Sequence, residues 1–406
     1  MNNNIRFVFA LIALSCIQLS TFGQTASKNN KNDKNKDNHT NPWAVKELGK
    51  MPPIQSLTDG VWLKGDLHVH SSHSTDGGNP SPERHPVAKI LEYAKSVGFG
   101  YIAITDHDNH VLGDVEHHTW ADPALKSDSV LLLYGAEWTT TRGHGNTFSA
   151  KPYNHQKFYD VRDQRDVVIA SVKKEIGVHL SANHPAGPKD HFGFSYDLVN
   201  SMEVWNSCLW TKNANSNLIW EDMLASGRKM TARGGSDTHS PSDKNYIGTP
   251  TTWVFATSRS AQAVVDALTN GRVSISANPY APRVEFYADL DQDAKMDMMM
   301  GDNVKSTGKP VKFRVQLSGK VMQDSVYTVK VTKNGRNFGS YKIIGKAGKD
   351  NMVEFTDTPA LIDRSYYYLL VEGPSTDYPQ VPGSMKITGN MVALANPIYF
   401  NFDPNF

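Results

Sequence analysis

Cysteine is almost absent from this 406-residue chain, which carries only Cys16 and Cys208. Excess charge of either sign is absent too, with 42 Lys+Arg against 41 Asp+Glu and a net charge of +1. That balance removes the electrostatic footprint expected of a nucleic-acid partner. Apolar runs are short: Phe7–Leu19 is broken by Ser15, Cys16 and Gln18, well under the roughly 20 apolar residues a spanning helix needs. There is no Walker loop, no GxSxG elbow and no cysteine placed as a nucleophile. Histidine is missing after His239, although the chain has 15 and all but His39 lie between His68 and His239. With 39% hydrophobic and 20% charged residues, the chain reads as globular, and some function confined to its first two-thirds uses imidazole.

The amino terminus reads as an export signal. One positive charge, Arg6, precedes the apolar core, and Gly23 is a cleavage point, so residues 1–23 form a signal peptide. Cys16 makes a lipoprotein anchor a minor alternative. Cleavage leaves Cys208 as the lone thiol, which rules out an internal disulfide and is read as buried or partly buried. Residues 24–50, rich in Asn, Lys and Asp and poor in apolar anchors, form a disordered linker because burial cannot offset their ordering entropy. The protein is expected to be periplasmic or secreted.

Residues 51–279 alternate short apolar strands with helical periodicity. Leu63–His70, Tyr101–Thr105, Val130–Tyr134, Val178–Ala182, Met202–Val204 and Lys229–Ala232 read as strands, and a last unit pairs Thr251–Phe255 with a helix. Val87, Ile90, Leu91, Ala94 and Val97 lie on one helical face that Gly98 stops. This alternation implies βα units around a largely parallel sheet, possibly closed as a barrel. Nearly every strand ends in His, Asp or Glu, where α/β barrels gather functional groups. Residues 280–406 change texture: seven short strands separated by Gly, Pro, Asn and Asp turns suggest an all-β antiparallel sandwich. Within it, Asp289, Asp291 and Asp293 resemble a calcium loop, but Ala294 replaces the turn glycine and Met300 the closing Glu. The stretch is read as a solvated acidic loop.

Asp66-Leu67-His68-Val69-His70 is the strongest local signal, because residues two apart on a strand face the same side. Two adjacent imidazoles suit a metal, and Asp66 can hold a ring in the required tautomer. Asp237-Thr238-His239 repeats the pairing. Asp76, His107, Glu137, His144 and His184 complete the candidates, each with a plainer alternative: Asp76 as a turn cap before Gly77-Gly78, His144 as a turn residue, His184 as an extended residue before Pro185.

Taken in order, DLHVHSSHSTDG, ITDHD, GAEW, GHGN, ANHP and GGSDTH resemble the PHP (polymerase and histidinol phosphatase) superfamily of metal-dependent hydrolases over roughly residues 62–276. The GTPTTWVFAT and ALTNGRVSIS segments are most similar to its extracytoplasmic CehA/McbA-like branch. The resemblance implies a distorted (β/α)7 barrel followed by the β-sandwich accessory domain, and a site of two or three divalent ions. It implies that His68, His70 and Asp237 hold the first ion and that Glu137 bridges it to a second. His144 and His184 would complete the second, and Asp76, His107 and His239 would hold a third.

Mixed imidazole and carboxylate ligands suit zinc, manganese or iron. A water bridging such ions loses its proton near neutral pH, and paired ions match the oxygens of a phosphoester. Hydrolysis of a phosphate mono- or diester in a small-molecule substrate is the leading expectation. Arg142 and Arg233 are candidate phosphate clamps by guanidinium geometry, with surface positions as the alternative, and His191 is a candidate acid for the leaving group. A second reading is hydrolysis of amide, carbamate or carboxyl ester bonds by the same centre. A third is a non-catalytic binding protein with a structural metal. Glu203 is expected to face the site from behind the ligands, and His85, His110, His117, His118, His155 and His179 are expected at the surface or in structural roles.

Overall fold

The computed structural model describes residues 49–75, 81–187, 191–240, 246–348, 351–379 and 389–404. The expected signal peptide, the linker up to residue 48, and Asp76 lie outside the described residues.

The amino-terminal part is built from β1 (Val61–Val69), α1 (Val87–Ser96), β2 (Tyr101–Ile104), β3 (Leu131–Thr140), β4 (Gly143–Ser149), α2 (His155–Asp160), α3 (Asp166–Ile176), β5 (His179–Ala182), β6 (Ser201–Asn206), α4 (Ala214–Ser226), β7 (Thr231–Gly235), β8 (Thr251–Ala256), α5 (Ala261–Asn270) and β9 (Val273–Ser276). Helix α1 buries Val87, Ile90, Leu91 and Ala94, the stripe its spacing dictates, and ends before Gly98 at φ +73°. Ser260 caps α5 by accepting from the Ala263 N–H. Strands β1, β2 and β3 pair in parallel, as do β5, β6 and β7.

Strict βα alternation breaks in the middle. β4 follows β3 as an antiparallel hairpin and pairs antiparallel with β5 as well. Gly143, at φ +113°, makes this reversal, and a Cβ there would run into the backbone of His191 and Phe192. The strand expected over Val130–Tyr134 runs on to Thr140, and GHGN, for which a turn was the plainer alternative, opens a second strand that the sequence pattern does not reveal. β2 lines one edge of β1; on the other edge β8 runs antiparallel along Val61–Gly65, and Thr238, just beyond β7, makes a parallel bridge to Val69. The result is a mixed α/β arrangement on a large central sheet, not a uniform parallel ladder.

The carboxy-terminal part is β-rich: β10 (Arg283–Asp289), β11 (Met298–Met299), β12 (Asn303–Val304), β13 (Val311–Ser318), β14 (Val326–Lys333), β15 (Arg336–Ile344), β16 (Asn351–Asp357), β17 (Ser365–Glu372) and β18 (Met391–Phe400). Apart from the two-residue β11 and β12, these are the seven strands read from the sequence, β18 beginning earlier. β11, β10, β13 and β16 form an antiparallel sheet. Its alternating buried residues, such as Val311, Phe313, Val315 and Leu317, share a core with Val329, Tyr367, Leu369 and Phe400 of β14, β17 and β18. β14, β17 and β18 do not stand apart from the amino-terminal part. β18 pairs with β9, so one sheet continues through both parts. The buried Asn396 of β18 also accepts from the Ala232 N–H and donates to the carbonyls of Ala232 and Val273, tying backbone groups of β7 and β9 together.

No helix among the described residues is long and apolar enough to cross a membrane.

Candidate metal centre

The sheet order brings the polar strand ends to one edge. His68 is the eighth residue of β1 and His70 follows the strand; His107 follows β2, Glu137 lies in β3, His184 follows β5, Glu203 lies in β6, and Asp237 and His239 follow β7. β4 runs the opposite way, so its second residue, His144, lies opposite Thr139 at that same edge. Eight of the nine ligand candidates therefore converge, and the ninth, Asp76, lies outside the described residues. His68 and His70 are fully buried and Glu137 is 1% exposed, whereas His239, at 30%, is the most exposed of the described ligand candidates.

The rings are held from behind. His68 Nδ1 bonds Glu203 Oε1 at 3.0 Å and His70 Nδ1 bonds Ser74 Oγ at 2.9 Å, so both Nε2 atoms point inward. Neither Nε2 has a hydrogen-bond partner although both are buried. An imidazole tethered at one nitrogen and bare at the other is the arrangement of a metal ligand with its outer support. Carboxylates are steadied in the same way: Asn183 Nδ2 donates to Glu137 Oε1 at 2.8 Å, and Asn206 Nδ2 to Asp237 Oδ2 at 3.2 Å. Gly235 permits this packing, since a Cβ there would collide with Glu203 and His68.

The separations between inward atoms test whether an ion fits. Tetrahedral ligands at about 2.0–2.1 Å from zinc stand about 3.3–3.4 Å from one another. His68 Nε2 is 3.3 Å from both Glu137 Oε1 and Asp237 Oδ1, and His70 Nε2 is 3.3 Å from Asp237 Oδ1. His184 Nε2 and His144 Nδ1 lie 3.3 and 3.4 Å from Glu137 Oε1, and His107 Nε2 is 3.3 Å from His239 Nε2. Three overlapping groups can each hold an ion: His68, His70 and Asp237; His68, Glu137 and His184; His70, His107 and His239. The donor set fits divalent ions in adjacent positions that share ligands.

The charges of the cluster act strongly on one another: against burial, the carboxylates of Asp237, Glu203 and Glu137 raise His68 well above its ordinary value. Burial alone would raise the Glu137 carboxyl, but His107 and His68 outweigh it and hold it well below the usual range. Burial also opposes ionisation of Asp237 and Glu203, yet His68 and His70 lower the first, and Arg233 with His68 holds the second down at about 2. All three carboxylates are thus ionised at neutral pH. His70 is pushed well below its ordinary value by burial and by His239 and His107, which keeps its lone pair free.

Several candidates sit elsewhere in role. Arg233 is no phosphate clamp: it is fully buried behind the ligands, donating to Glu203 Oε1 at 2.8 Å, to Ser181 Oγ at 2.6 Å and to Asn183 Oδ1. It is the counter-charge that lets Glu203 stay ionised without water. Arg142 is also occupied, through Asp166 at 2.7 Å, the carbonyls of Gln164 and Gly193, and the ring of Phe194. His191 is exposed, and its backbone lies against Gly143, next to His144. Asp66 does not orient a ring; it accepts the backbone N–H groups of His68, Ser236 and Gly248. His184 is not extended before Pro185 but sits at φ +26°, with its N–H on Glu203 Oε2 at 3.0 Å, and Asp237 also has positive φ at +54°. Two non-glycine outliers at candidate ligand positions are held there by the surrounding contacts. His155 and His179 are buried on Asp108 and on Ser201 and Thr269 respectively, while Cys208 is a buried free thiol. Sequence reasoning named neither Ser74 nor Asn183 as supports, although Asn183 adjoins His184 and Ser74 follows His70 by four residues.

No protein-family model matches the chain, and no curated protein does. Among solved structures it is similar to a two-domain protein from Bacteroides vulgatus containing a predicted PHP-like metal-dependent phosphoesterase. The identity is 17% and the TM-score 0.41, over 88% of this chain and 99% of that one. It is also similar to a CARDB domain from Pyrococcus furiosus in complex with di-metal ions, at 14% identity and a TM-score of 0.19, over 30% of this chain and 93% of that one.

Proposed function

We propose that this protein is a metal-dependent hydrolase of phosphate esters, of the PHP kind, with residues 51–279 as its catalytic part and 280–406 as an accessory part of an exported chain. The observation that carries the reading is the buried cluster in which His68, His70, Glu137 and Asp237 present unpartnered or ionised donor atoms to one another at 3.3–3.4 Å. His68, His70 and Asp237, then Glu137, His144 and His184, then His107 and His239, would hold two or three zinc, manganese or iron ions. Such ions supply Lewis acidity and a water made acidic enough to act as nucleophile near pH 7.

The chain's own residues set the conditions for that chemistry. The carboxylate of Glu203 favours the His68 proton on Nδ1, and the Ser74 hydroxyl holds the His70 ring by its own Nδ1. Asn183 and Asn206 keep the carboxylates of Glu137 and Asp237 turned inward. A small phosphate ester would reach the centre from the side of His239, the most exposed of the described ligand candidates. His191, next to the His144 hairpin, is assigned the proton donor for the departing alcohol, an assignment that rests on its neighbourhood and chemistry.

The test is an activity profile of metal-loaded protein on nitrophenyl phosphate, bis-nitrophenyl phosphate, nitrophenyl esters and aryl carbamates. Turnover of the phosphate substrates, lost in Asp237→Asn, is expected. Turnover confined to the esters and carbamates would replace this reading with that of a carboxyl-type hydrolase. Metal retention with no turnover of any of them would favour a structural centre.

A further inference from the structure

We propose that the loop joining β10 to β11 is a calcium site built from Asp289, Asp291 and Asp297. The sequence pattern Asp289-Leu-Asp-Gln-Asp-Ala-Lys-Met-Asp297 departs from a calcium loop at two positions, and the fold removes the force of both departures. Ala294 stands where a glycine is usual, yet it adopts φ +73°, the left-handed turn that glycine would supply. The missing Glu beyond it is not needed, because Asp297 closes the loop: its N–H bonds the Ala288 carbonyl, which brings both ends of the segment side by side.

Residues 291–295 are exposed, as a solvated loop requires, but the carboxylate at its base is not. Asp289 is fully buried, and one of its oxygens, Oδ1, has no hydrogen-bond partner. Ligand oxygens of Asp289, Asp291 and Asp297 all lie within 4.8 Å of one another. Oxygens that share one calcium, at about 2.3–2.6 Å each, stand no more than about 5 Å apart. A buried carboxylate oxygen without a donor is unfavourable unless a cation meets it. The only lysine of the segment, Lys295, turns instead to the exposed Asp293, at 3.6 Å. Lys312, in register with Asp289 on β13, forms no ion pair with it among the described residues. The remaining oxygens of Asp289 and Asp297 accept the Ala294 and Leu290 N–H groups at 3.0 and 2.7 Å, which fixes the inward ones in place.

The donors are all oxygen, with no imidazole or thiolate in the group, which selects a hard cation over zinc or iron. Asp291 is exposed, so one side of the group is open to water. That suits the larger, adaptable sphere of calcium better than the strict octahedron of magnesium. Bound calcium would clasp the β10–β11 edge of the sandwich. The site is separate from the histidine centre and independent of what that centre hydrolyses.

The experiment uses the full-length chain, stripped with chelator and reloaded with zinc so that the histidine centre is filled before calcium is added. Isothermal titration with calcium chloride is expected to show one ion bound with a dissociation constant between about 10⁻⁶ and 10⁻³ M, and magnesium much weaker. Asp289→Asn should abolish the binding. Should that variant fail to fold, Asp291→Asn, altered at an exposed position, should weaken calcium at least tenfold while leaving the zinc content unchanged. Absence of calcium binding by the parent at millimolar calcium overturns the proposal. So does undiminished binding by Asp291→Asn and Asp297→Asn together.

Discussion

Glu203 touches no inward-facing donor atom, yet its replacement by glutamine is expected to damage both stability and metal affinity. Its carboxylate is fully buried and joins four groups: His68 Nδ1, Arg233 Nη1, the His184 N–H and Asn206 Nδ2. Glutamine preserves the shape and one acceptor but removes the charge, leaving the buried Arg233 guanidinium without its counter-ion. Breaking a buried pair from one side costs about 3–5 kcal/mol, and the acceptors Ser181 and Asn183 that remain to Arg233 hold the expectation to the lower end of that range. Loss of an outer support typically weakens metal binding about 10–100-fold, or roughly 1.4–2.7 kcal/mol. Urea unfolding of the metal-free protein measures the first effect, and zinc competition against a chromophoric chelator measures the second. A Glu203→Gln protein within twofold of the parent in zinc affinity, and within about 1 kcal/mol in unfolding free energy, would refute the view that Glu203 links Arg233 to His68.

Arg142→Ala is expected to change KM for nitrophenyl phosphate less than threefold, in contrast to a phosphate clamp, because Asp166 and two carbonyls already take its donors; steady-state kinetics decides. His191→Gln should slow phosphate esters of poor leaving groups far more than nitrophenyl phosphate, since only the former need a proton at departure; equal losses on both would remove His191 from that role. Burial, followed by the nearby charges of Lys173 and Arg233, holds His179 well below its ordinary value. The unfolded chain therefore takes up that proton first, so the stability His179 contributes is present above about pH 6.5 and lost as pH falls, by up to roughly 1.4 kcal/mol per unit. His179→Gln should flatten that part of the pH dependence of urea unfolding. Asn396→Ala strips partners from the backbone of Ala232 and Val273 and should cost about 2 kcal/mol or more in the same assay.

The elements whose partners are close in sequence were legible from it. The stripe of α1 and the alternation of β13 follow from periodicities of 3.6 and 2, set by local geometry, and each appears where the pattern places it. The hairpin at Gly143 was not legible, because one glycine with positive φ redirects the chain while the letters around it still read as a turn. The candidate ligands were visible because their residue types are rare and recur after apolar strands. Of their supports only Glu203 was legible, from its place on an apolar strand; Arg233, Asn183 and Asn206 lie on three different strands or the residues just beyond them, and each looks ordinary until the sheet sets it against another.

The same division explains Arg233 and Asp289. By itself the sequence determined which chemistry is possible, since imidazoles, carboxylates and a lone thiol have fixed donor properties wherever they fall. Only the tertiary structure decided their environments, since burial and partners depend on strands distant along the chain. A guanidinium that would clamp phosphate at the surface becomes the counter-charge beneath His68, and a carboxylate that would be solvated in a loop becomes a buried oxygen without a donor.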